Sequence, residues 1–568
     1  MLPIVAYPLA SFGIFALFSA SFVFARARER EAASRRREAR RVEWGRRREA
    51  ASHDSATIER YHRAACAQRG DVDASVDAAT WRDLDMDSVC AEIDRTITFA
   101  GAARLYDRLR SPSVAPAPLR RFDEVVTALS SDEPAREEIQ SVLATSASPA
   151  QAAILDVLFG DVPSPPAARF AFPVLAALTL ASLVASFALP AARFVLFAVA
   201  ALSVVLRFRY GKDALASLEA FRRINQLLGL GRRLGALRVS AIEPELRALR
   251  ETMNRLAPLE RSTSWLLFDA LHANEMLAIG VAYLNTFFLL DLIAVSFSLD
   301  VLRRNPGDVH ALFAVAGDLD AAIAVASFRA GVARFTRPEI ADDGAAIEIA
   351  GAVHPLVERA VPNGIRVEGR GVLLTGGNMS GKSTMARTIA VNALLAQTIY
   401  TALASRYRAP VLRVRTLMSA ADDVRRNRSY YLAELEGAKA LLAPSASGTR
   451  TLVILDELFR GTNTSERIGA GKAVLDALVQ AGHFVFAATH DRELVELLAA
   501  TFDAYHFGED VVGRELVFPY DLRPGPAKTR NAIVLMRIAG FSDAVVGDAN
   551  AVVEKIEGRG RLATSGPA

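Results

Sequence analysis

A glycine-rich segment that ends in a lysine and a serine is the strongest chemical signal in this 568-residue sequence. Residues 376–383 fit the pattern G-x-x-x-x-G-K-[ST]. They follow the apolar segment 371–375 and precede a helical stretch, 384–396, which is the context that a phosphate-binding loop requires. Glycines let backbone N–H groups close around phosphate oxygens, and the start of the helix adds its positive dipole end. The predicted nucleotide-binding residues are Gly376, Gly377, Asn378, Met379, Ser380, Gly381, Lys382, Ser383 and Thr384.

Two carboxylates follow a second apolar segment about eighty residues later. Residues 452–455 have the pattern of a buried strand, and Asp456 and Glu457 come directly after it. With a phosphate-binding loop, this pattern predicts that Ser383 and Asp456 hold Mg²⁺, while Lys382 neutralises the β- and γ-phosphates. Glu457 would polarise the attacking water. We therefore predict ATP and Mg²⁺ as cofactors, with Lys382 and Glu457 as catalytic residues.

A third apolar segment, 483–489, ends immediately before His490. A lone histidine is more often structural, but at a strand end after the two other motifs His490 is predicted to sense the γ-phosphate, as a third catalytic residue. From about residue 345 such short apolar segments alternate with helical stretches. That alternation is typical of an α/β domain with a largely parallel sheet.

Composition and charge exclude several classes of protein. Apolar residues make up 51% and charged residues 23% of the chain, which excludes a disordered or fibrous protein. Two cysteines exclude a disulfide scaffold and a Cys-rich zinc module. The net charge is +4, but residues 26–49 hold eleven Arg and five Glu, so the rest of the chain is close to −2. The body of the protein is therefore not a broadly basic nucleic-acid binder.

Two apolar regions predict membrane attachment. Residues 1–25 carry no charged side chain and are long enough to cross a bilayer, and arginines follow from Arg26. Positive charge after the run favours an anchor with its N-terminus outside, over a cleaved signal peptide, whose charge precedes the run. Residues 170–206 carry only Arg193 and have positive flanks on both sides. This pattern predicts a transmembrane hairpin; a buried helix pair in a soluble core is the alternative.

A third apolar run, 276–299, contains Asp291 in its middle. A carboxylate in mid-membrane is costly, and a third span would put the following residues outside the cell. We therefore predict a core helix of a soluble domain here.

The predicted organisation has seven segments. They are a transmembrane anchor (1–25), an Arg-rich juxtamembrane helix with a solvated face (26–60), a first helical part (61–165), the hairpin (166–209), a second helical part (210–340), the α/β P-loop ATPase domain (341–556) and a disordered tail (557–568). The predicted fold class is thus an α/β P-loop domain, which the family resemblance described next implies is of ABC type, preceded by an all-α region with transmembrane helices.

The motifs resemble the ATPase domain of MutS-type DNA mismatch repair proteins. The resemblance lies in His354-Pro355, Val361-Pro362-Asn363 and the loop 375–384. It extends to Asp456 through Thr464, to Ala488-Thr489-His490, and to the closing segment 520–525 with 531–533. It is strong over roughly 345–545 and weaker, but in the same order, over 80–340, where the family has its helical core and lever.

The resemblance implies an ABC-type ATPase that works as a homodimer. Each nucleotide would lie between the P-loop of one subunit and the signature segment of the other. Residues 422–430 match that segment, and Ser429 falls where the family has the serine that reaches the opposite γ-phosphate.

The sequence also departs from the family. The membrane segment and the Arg-rich linker stand where mismatch repair members have a mismatch-reading domain with a Phe-x-Glu wedge. The hairpin falls roughly where their DNA-clamping insertion would be, and Ala360-Val361 replaces an aromatic residue that packs on adenine. Without a wedge, a clamp or a basic body, direct mismatch reading loses its physical basis, although DNA binding stays open.

These observations lead to one main hypothesis and two alternatives. The main hypothesis is a membrane-anchored MutS-family ATPase that closes a dimer on ATP and reopens on hydrolysis. It would lie in the inner (plasma) membrane with its N-terminus outside and its ATPase domain in the cytoplasm. The first alternative is a DNA mismatch repair protein that binds mismatched DNA in an ATP-dependent manner. The second is an ATPase associated with an ABC-type transporter.

Overall fold

The computed structural model describes most of the chain from residue 28 to residue 564. The described residues are 28, 31–32, 34–47, 54–71, 74–146, 152–160, 163–263, 275–304, 306–341, 346–377, 379–418, 430–443, 449–512, 515–527, 533, 536–537 and 540–564. The predicted anchor 1–25, the loop residue Asn378 and the signature residue Ser429 lie outside this part of the chain.

Helices account for most of the first 331 residues. In chain order the helices are α1 (Ser55–Arg69), α2 (Ala78–Asp83), α3 (Met86–Ile93), α4 (Phe99–Arg110), α5 (Pro116–Ser131), α6 (Glu133–Leu143), α7 (Ala152–Phe159), α8 (Ala171–Ala185), α9 (Ala192–Gly235), α10 (Glu243–Thr263), α11 (Glu275–Phe288), α12 (Leu290–Arg304), α13 (Pro306–Gly331), α14 (Lys382–Thr398), α15 (Tyr430–Leu442), α16 (Thr464–Gln480), α17 (Arg492–Leu497) and α18 (Asp543–Thr564).

In the part of the chain that the structure describes, the strands lie after residue 338 and form three sheets. They are β1 (Glu339–Ile340), β2 (Ile347–Ala352), β3 (Asn363–Val367), β4 (Gly371–Thr375), β5 (Arg406–Ala409), β6 (Arg413–Leu417), β7 (Thr451–Asp456), β8 (Phe484–Ala488), β9 (Phe502–Phe507), β10 (Asp510–Val512), β11 (Glu515–Val517) and β12 (Leu522–Pro524). The largest sheet has the order β12-β9-β4-β8-β7-β6; a second has the order β1-β5-β2-β3, and β10 pairs with β11.

The chain divides into two compact units. The helical unit comprises residues 1–70, 93–107 and 124–331, and the α/β unit comprises residues 71–92, 108–123 and 332–568. The sequence predicted one continuous helical part over 61–165 and an ATPase domain that starts at 341. The structure differs, because two segments from the first part of the chain pack with the α/β unit.

The central strands of the six-stranded sheet are parallel and fully covered. Every residue of β4 and β8 is buried, as are the first five residues of β7. Strand β4 pairs in parallel with β8 and β9, β7 pairs in parallel with β8 and β6, and only β12 at one edge is antiparallel. Strands covered on both faces read as continuous apolar runs, which explains why the sequence pattern located them.

Helix α2 closes the other edge of this sheet. The backbone N–H of Thr416 on β6 donates to Thr80 Oγ1 at 3.1 Å, which satisfies a donor at an edge that would otherwise face solvent. Asp83 is buried, and its Oδ2 accepts from Thr416 Oγ1 at 2.7 Å and from the N–H of Met418 at 3.0 Å. The segment 71–92 is therefore a structural part of the α/β unit.

Buried polar pairs fix the packing of the helical unit. The carboxylate of Asp320 on α13 accepts from the backbone N–H groups of Ile97 and Thr98, at 3.0 Å and 2.7 Å, where α4 begins. Asp107 on α4 accepts from His62 at 2.8 Å and from Arg69 at 3.0 Å. These contacts join segments that are distant in sequence.

The Arg-rich segment is helical over residues 34–43 and packs on α6. Arg40 donates to the carbonyl of Gln140 at 2.6 Å, Arg41 pairs with Glu137, and the guanidinium of Arg136 lies 3.9 Å from the ring of Trp44. The sequence predicted a helix with a solvated face here, and the structure adds a docked face.

Helices α8 and α9 form the hairpin region. Among the described residues, three helical stretches are each long and apolar enough to cross a membrane: Ala167–Ala185, Ala192–Lys212 and Pro306–Gly331. The chain buries 78% of the third stretch, but only 22% and 11% of the first two. The third is therefore a core helix, whereas the first two expose their apolar side chains. Helix α9 continues past the predicted boundary at 209 to Gly235.

Two expectations need correction. The run 276–299 is not one core helix, because α11 and α12 meet at Leu289, whose φ is 52°, with a bend of 69°. Helix α12 is mainly buried, whereas Gly280 and residues 282–284 on α11 are exposed. At the C-terminus, α18 extends to Thr564, so residues 557–564 are helical where a disordered tail was predicted.

Asp83→Ala should lower the stability of the α/β unit. The change leaves the hydroxyl of Thr416 and the N–H of Met418 without their buried acceptor, which costs about 1–3 kcal/mol. Thermal unfolding of the full chain measures the effect as a lower melting temperature. The control is Asp548→Ala on α18, because Asp548 is exposed. Equal melting temperatures of the two variants would contradict the proposed role of Asp83.

Candidate nucleotide-binding site

The glycine-rich loop joins β4 to α14 in the way the sequence predicted. Gly376 and Gly381 adopt φ values of 134° and 110°, which L side chains rarely reach, and Met379 has a φ of 71°. Helix α14 then begins at Lys382, so its first N–H groups point toward the loop. The carboxylate of Glu509 fills the space beside Gly377, where an added methyl group would overlap it.

Lys382 is buried at the start of α14. Its Nζ donates to the carbonyls of Gly376 and Gly377, at 2.9 Å and 2.7 Å. Burial lowers the pKa of this ammonium group, while the carboxylates of Glu457 and Asp456 act in the opposite direction. The cation is thus held inside the loop, between the backbone and two acidic side chains.

Ser383 and Asp456 already contact each other. Ser383 Oγ donates to Asp456 Oδ2 at 2.7 Å, across the gap between α14 and the end of β7. Asp456 Oδ1 is buried and has no hydrogen-bond partner among the described residues. A hydroxyl and a carboxylate with a spare oxygen are the ligand types that Mg²⁺ prefers. The residues present therefore fit a magnesium ion.

Glu457 is held by two side chains, those of His490 and Arg460. His490 Nε2 lies 2.6 Å from Glu457 Oε1, and Arg460 pairs with Glu457 Oε2. Glu457 has a φ of 52°, which is uncommon outside glycine and turns its side chain away from the strand direction. Burial opposes ionisation, but the hydrogen bond from His490 and the charges of His490, Arg460 and Lys382 lower the pKa of Glu457 below its usual value.

The register of three strands brings these groups together. Ala488 at the end of β8 is paired with Leu374 on β4 and with Asp456 on β7. The N–H of Glu457 donates to the carbonyl of Ala488 at 3.0 Å, and the N–H of Thr489 donates to that of Leu374 at 3.0 Å. The P-loop, the two carboxylates and His490 therefore emerge at one edge of the sheet.

An ion pair outside the predicted set fixes the segment that carries His490. Arg467 on α16 donates to both carboxylate oxygens of Asp491, at 2.8 Å and 3.0 Å. The N–H of Asp491 in turn donates to Thr489 Oγ1 at 3.1 Å. These bonds hold the backbone on either side of His490.

A cavity of about 520 Å³ opens beside the P-loop and the start of α14, and Tyr520 lies in its wall. Its walls include Lys382, Ser383, Glu457 and Tyr520. The side chain of Asn363 holds the far wall, since its amide donates to the carbonyl of Tyr520 at 2.8 Å and its oxygen accepts from the N–H of Leu522 at 2.8 Å. The cavity is large enough for a nucleotide.

His354 forms part of the same wall. Burial, followed by the charge of Arg387, lowers the pKa of His354 to about 4, so its ring is neutral near pH 7. Its Nδ1 accepts from the N–H of Leu356 at 3.3 Å. The His-Pro motif thus supports the cavity as a neutral, hydrogen-bonded side chain.

Of the predicted site residues, the structure brings together Lys382, Ser383, Asp456, Glu457 and His490. Asn378 and Ser429 lie outside the described residues, so their predicted roles stay predictions. Sequence reasoning missed Arg460 and Glu434 as contributors. The buried carboxylate of Glu434 on α15 accepts from the backbone N–H of Phe459, in the loop that follows Glu457. The sequence signal for Glu434 was a charged residue at a helix position that is buried in the structure.

Tyr520 was also missed as a lining residue. The sequence has Ala360-Val361 where an aromatic residue was expected, yet Tyr520 lies across the same cavity and is 45% exposed. Phe518 stacks against it with ring centroids 5.9 Å apart. The position of Tyr520 depends on a long-range hydrogen bond to Asn363, which no local pattern announces.

Comparison with protein families identifies this region. Residues 372–557 match the family described as MutS domain V. That match supports the MutS family for the ATPase region of the chain, and it covers the P-loop, both carboxylates and His490.

Curated relatives cover the same region at moderate identity. "DNA mismatch repair protein MutS" of Roseiflexus castenholzii is 35% identical over 265 residues, which are 44% of this chain and 24% of that protein. The protein of the same name from Thermotoga maritima is 32% identical over 249 residues, 41% of this chain and 30% of that protein. The one from Thermus aquaticus is 32% identical over 246 residues, 43% and 29% of the two chains. The chain thus spans less than a third of the length of each of these relatives.

Lys382→Ala should weaken ATP binding. The ammonium group lies inside the loop, and removal of a charged hydrogen-bond donor costs about 1.5–3 kcal/mol, or roughly a 10- to 150-fold loss of affinity. Titration with a fluorescent ATP analogue measures this change. Lys472→Ala is the matched control, because Lys472 lies on α16 and pairs with Asp476 four residues away. Unchanged affinity in Lys382→Ala would contradict the site.

Proposed function

We propose that the MutS domain V region of this chain, residues 372–557, binds and hydrolyses ATP. The observation that carries this proposal is the meeting of Lys382, the Ser383–Asp456 pair and the Glu457–His490 pair around one cavity. The family match to residues 372–557 supports it independently.

The triphosphate would bind along the P-loop and the start of α14. The backbone N–H groups of the loop and the helix dipole stabilise its negative charge, and Lys382 turns from the loop carbonyls toward the β- and γ-phosphates. Tyr520 and His354 would contact the nucleoside end of the cavity. Ser383 and Asp456 would hold Mg²⁺, which supplies neutralisation of the phosphate charge when bound.

Glu457 would accept a proton from the attacking water. Its low pKa keeps the carboxylate ionised at neutral pH, and His490 holds the carboxylate in place through the 2.6 Å contact. As the water attacks, the proton would move toward Glu457, and His490 would donate a hydrogen bond to the γ-phosphate. Arg460 would balance the charge of Glu457 before the substrate binds.

A homodimer would complete each site. By the resemblance to MutS proteins, Ser429 of one subunit would reach the γ-phosphate in the other. Helix α15, which starts at Tyr430, contacts the loop after Glu457 through the Tyr431–Phe459 ring pair at 6.1 Å. Helix α15 is thereby linked to the loop that follows Glu457.

The comparisons favour DNA mismatch repair as the process over a role without DNA. All three relatives carry the name of that process, and each shares the ATPase region with this chain. The charge distribution argues against DNA binding, because the excess of positive charge is confined to the short segment 26–49 and the rest of the chain is close to neutral. An ATP-dependent contact with mismatched DNA is therefore the second candidate function. Transport-associated ATPase activity has no such support.

Membrane attachment through the hairpin is a separate proposal. Helix α8, the turn after it and the first part of α9 expose large apolar side chains, among them Phe187 in the turn (87% exposed), Phe194 (80%) and Phe208 (82%). Arg169 and Arg207 flank the apolar stretches, as expected on the cytoplasmic side. We propose that the hairpin enters the inner (plasma) membrane and that the ATPase region lies in the cytoplasm.

His490→Ala should shift the pH dependence of ATP hydrolysis. Loss of its hydrogen bond and charge leaves burial as the larger influence on Glu457, with Arg460 and Lys382 still nearby, so the pKa of Glu457 rises. Activity requires the carboxylate and is lost as pH falls through this pKa; the acidic limb of kcat should therefore move to higher pH.

The measurement is kcat for ATP hydrolysis from pH 4 to pH 9. In the same assay, Glu457→Gln removes the general base and should lower kcat about 10²- to 10⁴-fold. His483→Ala is the control, because His483 precedes the opposite end of β8. An acidic limb that stays in place in His490→Ala would remove the assigned role of His490.

Titration with DNA separates the two candidate processes. Full-length protein in lipid vesicles is titrated with matched and mismatched duplexes, with and without ATP, at physiological salt. Mismatch repair requires a preference for the mismatched duplex that changes with ATP. Equal weak binding of both duplexes would support an ATPase whose partner is not a mismatch.

A further inference from the structure

An apolar run that the sequence assigned to a soluble core is divided between two different environments. Helix α12 buries Leu292, Val295 and Leu299 within the helical unit. Helix α11 precedes α12 in the chain, but the two helices are not collinear, because the chain bends by 69° at Leu289. On α11, Gly280, Ala282, Tyr283 and Leu284 are exposed, with Tyr283 at 63% and Leu284 at 49%.

Helix α11 lies against the hairpin. It packs on both α8 and α9, whose own outward side chains are apolar. The stacked rings of Tyr283 and Phe287, 6.4 Å apart, continue the apolar surface of the hairpin along α11. The hydroxyl of Thr286 is satisfied inside the helix, because it donates to the carbonyl of Ala282 at 2.8 Å.

Asp291 marks the end of this apolar region rather than its middle. It lies in the first turn of α12, beyond the bend, where it is buried and pairs with Arg207 on α9. Arg207 is followed by Arg209 and Lys212, and Arg169 stands at the start of the other hairpin arm, paired with Asp300 at 3.4 Å. The charges therefore collect at the end of the apolar helices that faces the rest of the helical unit.

We propose that α11 is a third membrane-embedded helix, which inserts beside the hairpin and ends at the Arg207–Asp291 pair. This inference rests on the proposed membrane attachment of the hairpin. The sequence argued against a membrane helix here because Asp291 lies in the middle of the apolar run. In the structure Asp291 lies at the end of α11 and pairs with Arg207, so its charge is neutralised at the boundary.

Helix α11 is too short to cross the whole membrane. Its 14 residues span about 21 Å at 1.5 Å per residue, which is shorter than a hydrocarbon core of about 30 Å. Helix α10 ends beside Asn225, whose side chain donates to the carbonyl of Thr263 at 3.1 Å, and α12 starts beside Arg207. The end of α10 and the start of α12 therefore both lie beside the part of α9 that carries or follows the charged residues, so α11 would be a re-entrant element that leaves the ATPase region in the cytoplasm.

Lipid is the occupant that fits this surface best. Helix α8 presents apolar side chains in several directions, including Val174, Leu180 and Val184, and the chain covers only 22% of its spanning window. A helix that is apolar on all sides requires apolar surroundings on all sides. One flat contact with a second copy would cover a single face. Hydrocarbon covers every face, and anionic headgroups suit the arginines at the boundary.

Cysteine labelling in vesicles tests the position of α11. Leu284→Cys on α11, Leu180→Cys on α8 and Leu497→Cys on α17 replace leucines of nearly equal exposure: 49%, 54% and 52%. Each full-length variant is labelled with the fluorophore NBD and reconstituted in vesicles of phosphatidylethanolamine and phosphatidylglycerol. Quenching by lipids with doxyl groups on the acyl chain reports contact with hydrocarbon, and reduction by external dithionite reports contact with water. Wild-type protein measures background labelling of Cys66 and Cys90.

We expect the labels at Leu284 and Leu180 to be quenched by acyl-chain doxyl lipid and to react with dithionite at least tenfold more slowly than the label at Leu497. If Leu284 behaves like Leu497 while Leu180 is protected, the α11 inference is wrong and the hairpin proposal stands. If Leu180 also behaves like Leu497, the membrane attachment itself is wrong. A label at Leu284 that resists dithionite but is not quenched by lipid would assign this surface to a protein contact, and would overturn the inference.

Discussion

The parallel register of β4, β8 and β7 is the constraint on which the candidate site depends. Each strand is buried on both faces, and the backbone bonds between them fix which residues stand side by side at their ends. Packing behind the sheet reinforces that register: Leu373, Val453 and Val485 belong to one buried apolar cluster. A slip of one residue would turn these side chains to the wrong face and separate Asp456 from Ser383. The register therefore sets the chemistry.

Charge balance governs the site within that frame. Lys382 is turned onto the carbonyls of its own loop, Ser383 is bonded to Asp456, and Glu457 is held by His490 and Arg460. Lys382 and Glu457 thus have polar partners, whereas Asp456 Oδ1 has none among the described residues. In the proposed function, an incoming triphosphate would offer Lys382 its phosphate oxygens in place of the loop carbonyls, so binding would exchange existing contacts for new ones.

The helical unit has polar groups inside and apolar groups outside. Its core contains buried carboxylates, such as Asp107 and Asp320, that are matched by hydrogen-bond donors, while apolar residues on α8, α9 and α11 remain on the outside. Apolar residues on the outside cluster in this one group of helices, and Arg169 and Arg207 mark its boundary. Composition alone does not distinguish it from an ordinary core, because α13 is as apolar as the hairpin and yet is covered by the chain.

The sequence by itself determined the P-loop, the strand that ends in Asp456 and Glu457, the position of His490 and the apolar hairpin, because each depends on residues that are neighbours in the chain. Only the tertiary structure decided what depends on contacts between distant residues. Asp83 completes a sheet edge through Thr416, Tyr520 reaches the cavity through Asn363, and Arg460 and Glu434 surround the loop after β7. The fate of 276–299 was of this kind as well. One residue in a left-handed conformation, Leu289, separates a buried helix from an exposed one, and no periodicity in the sequence marks that turn.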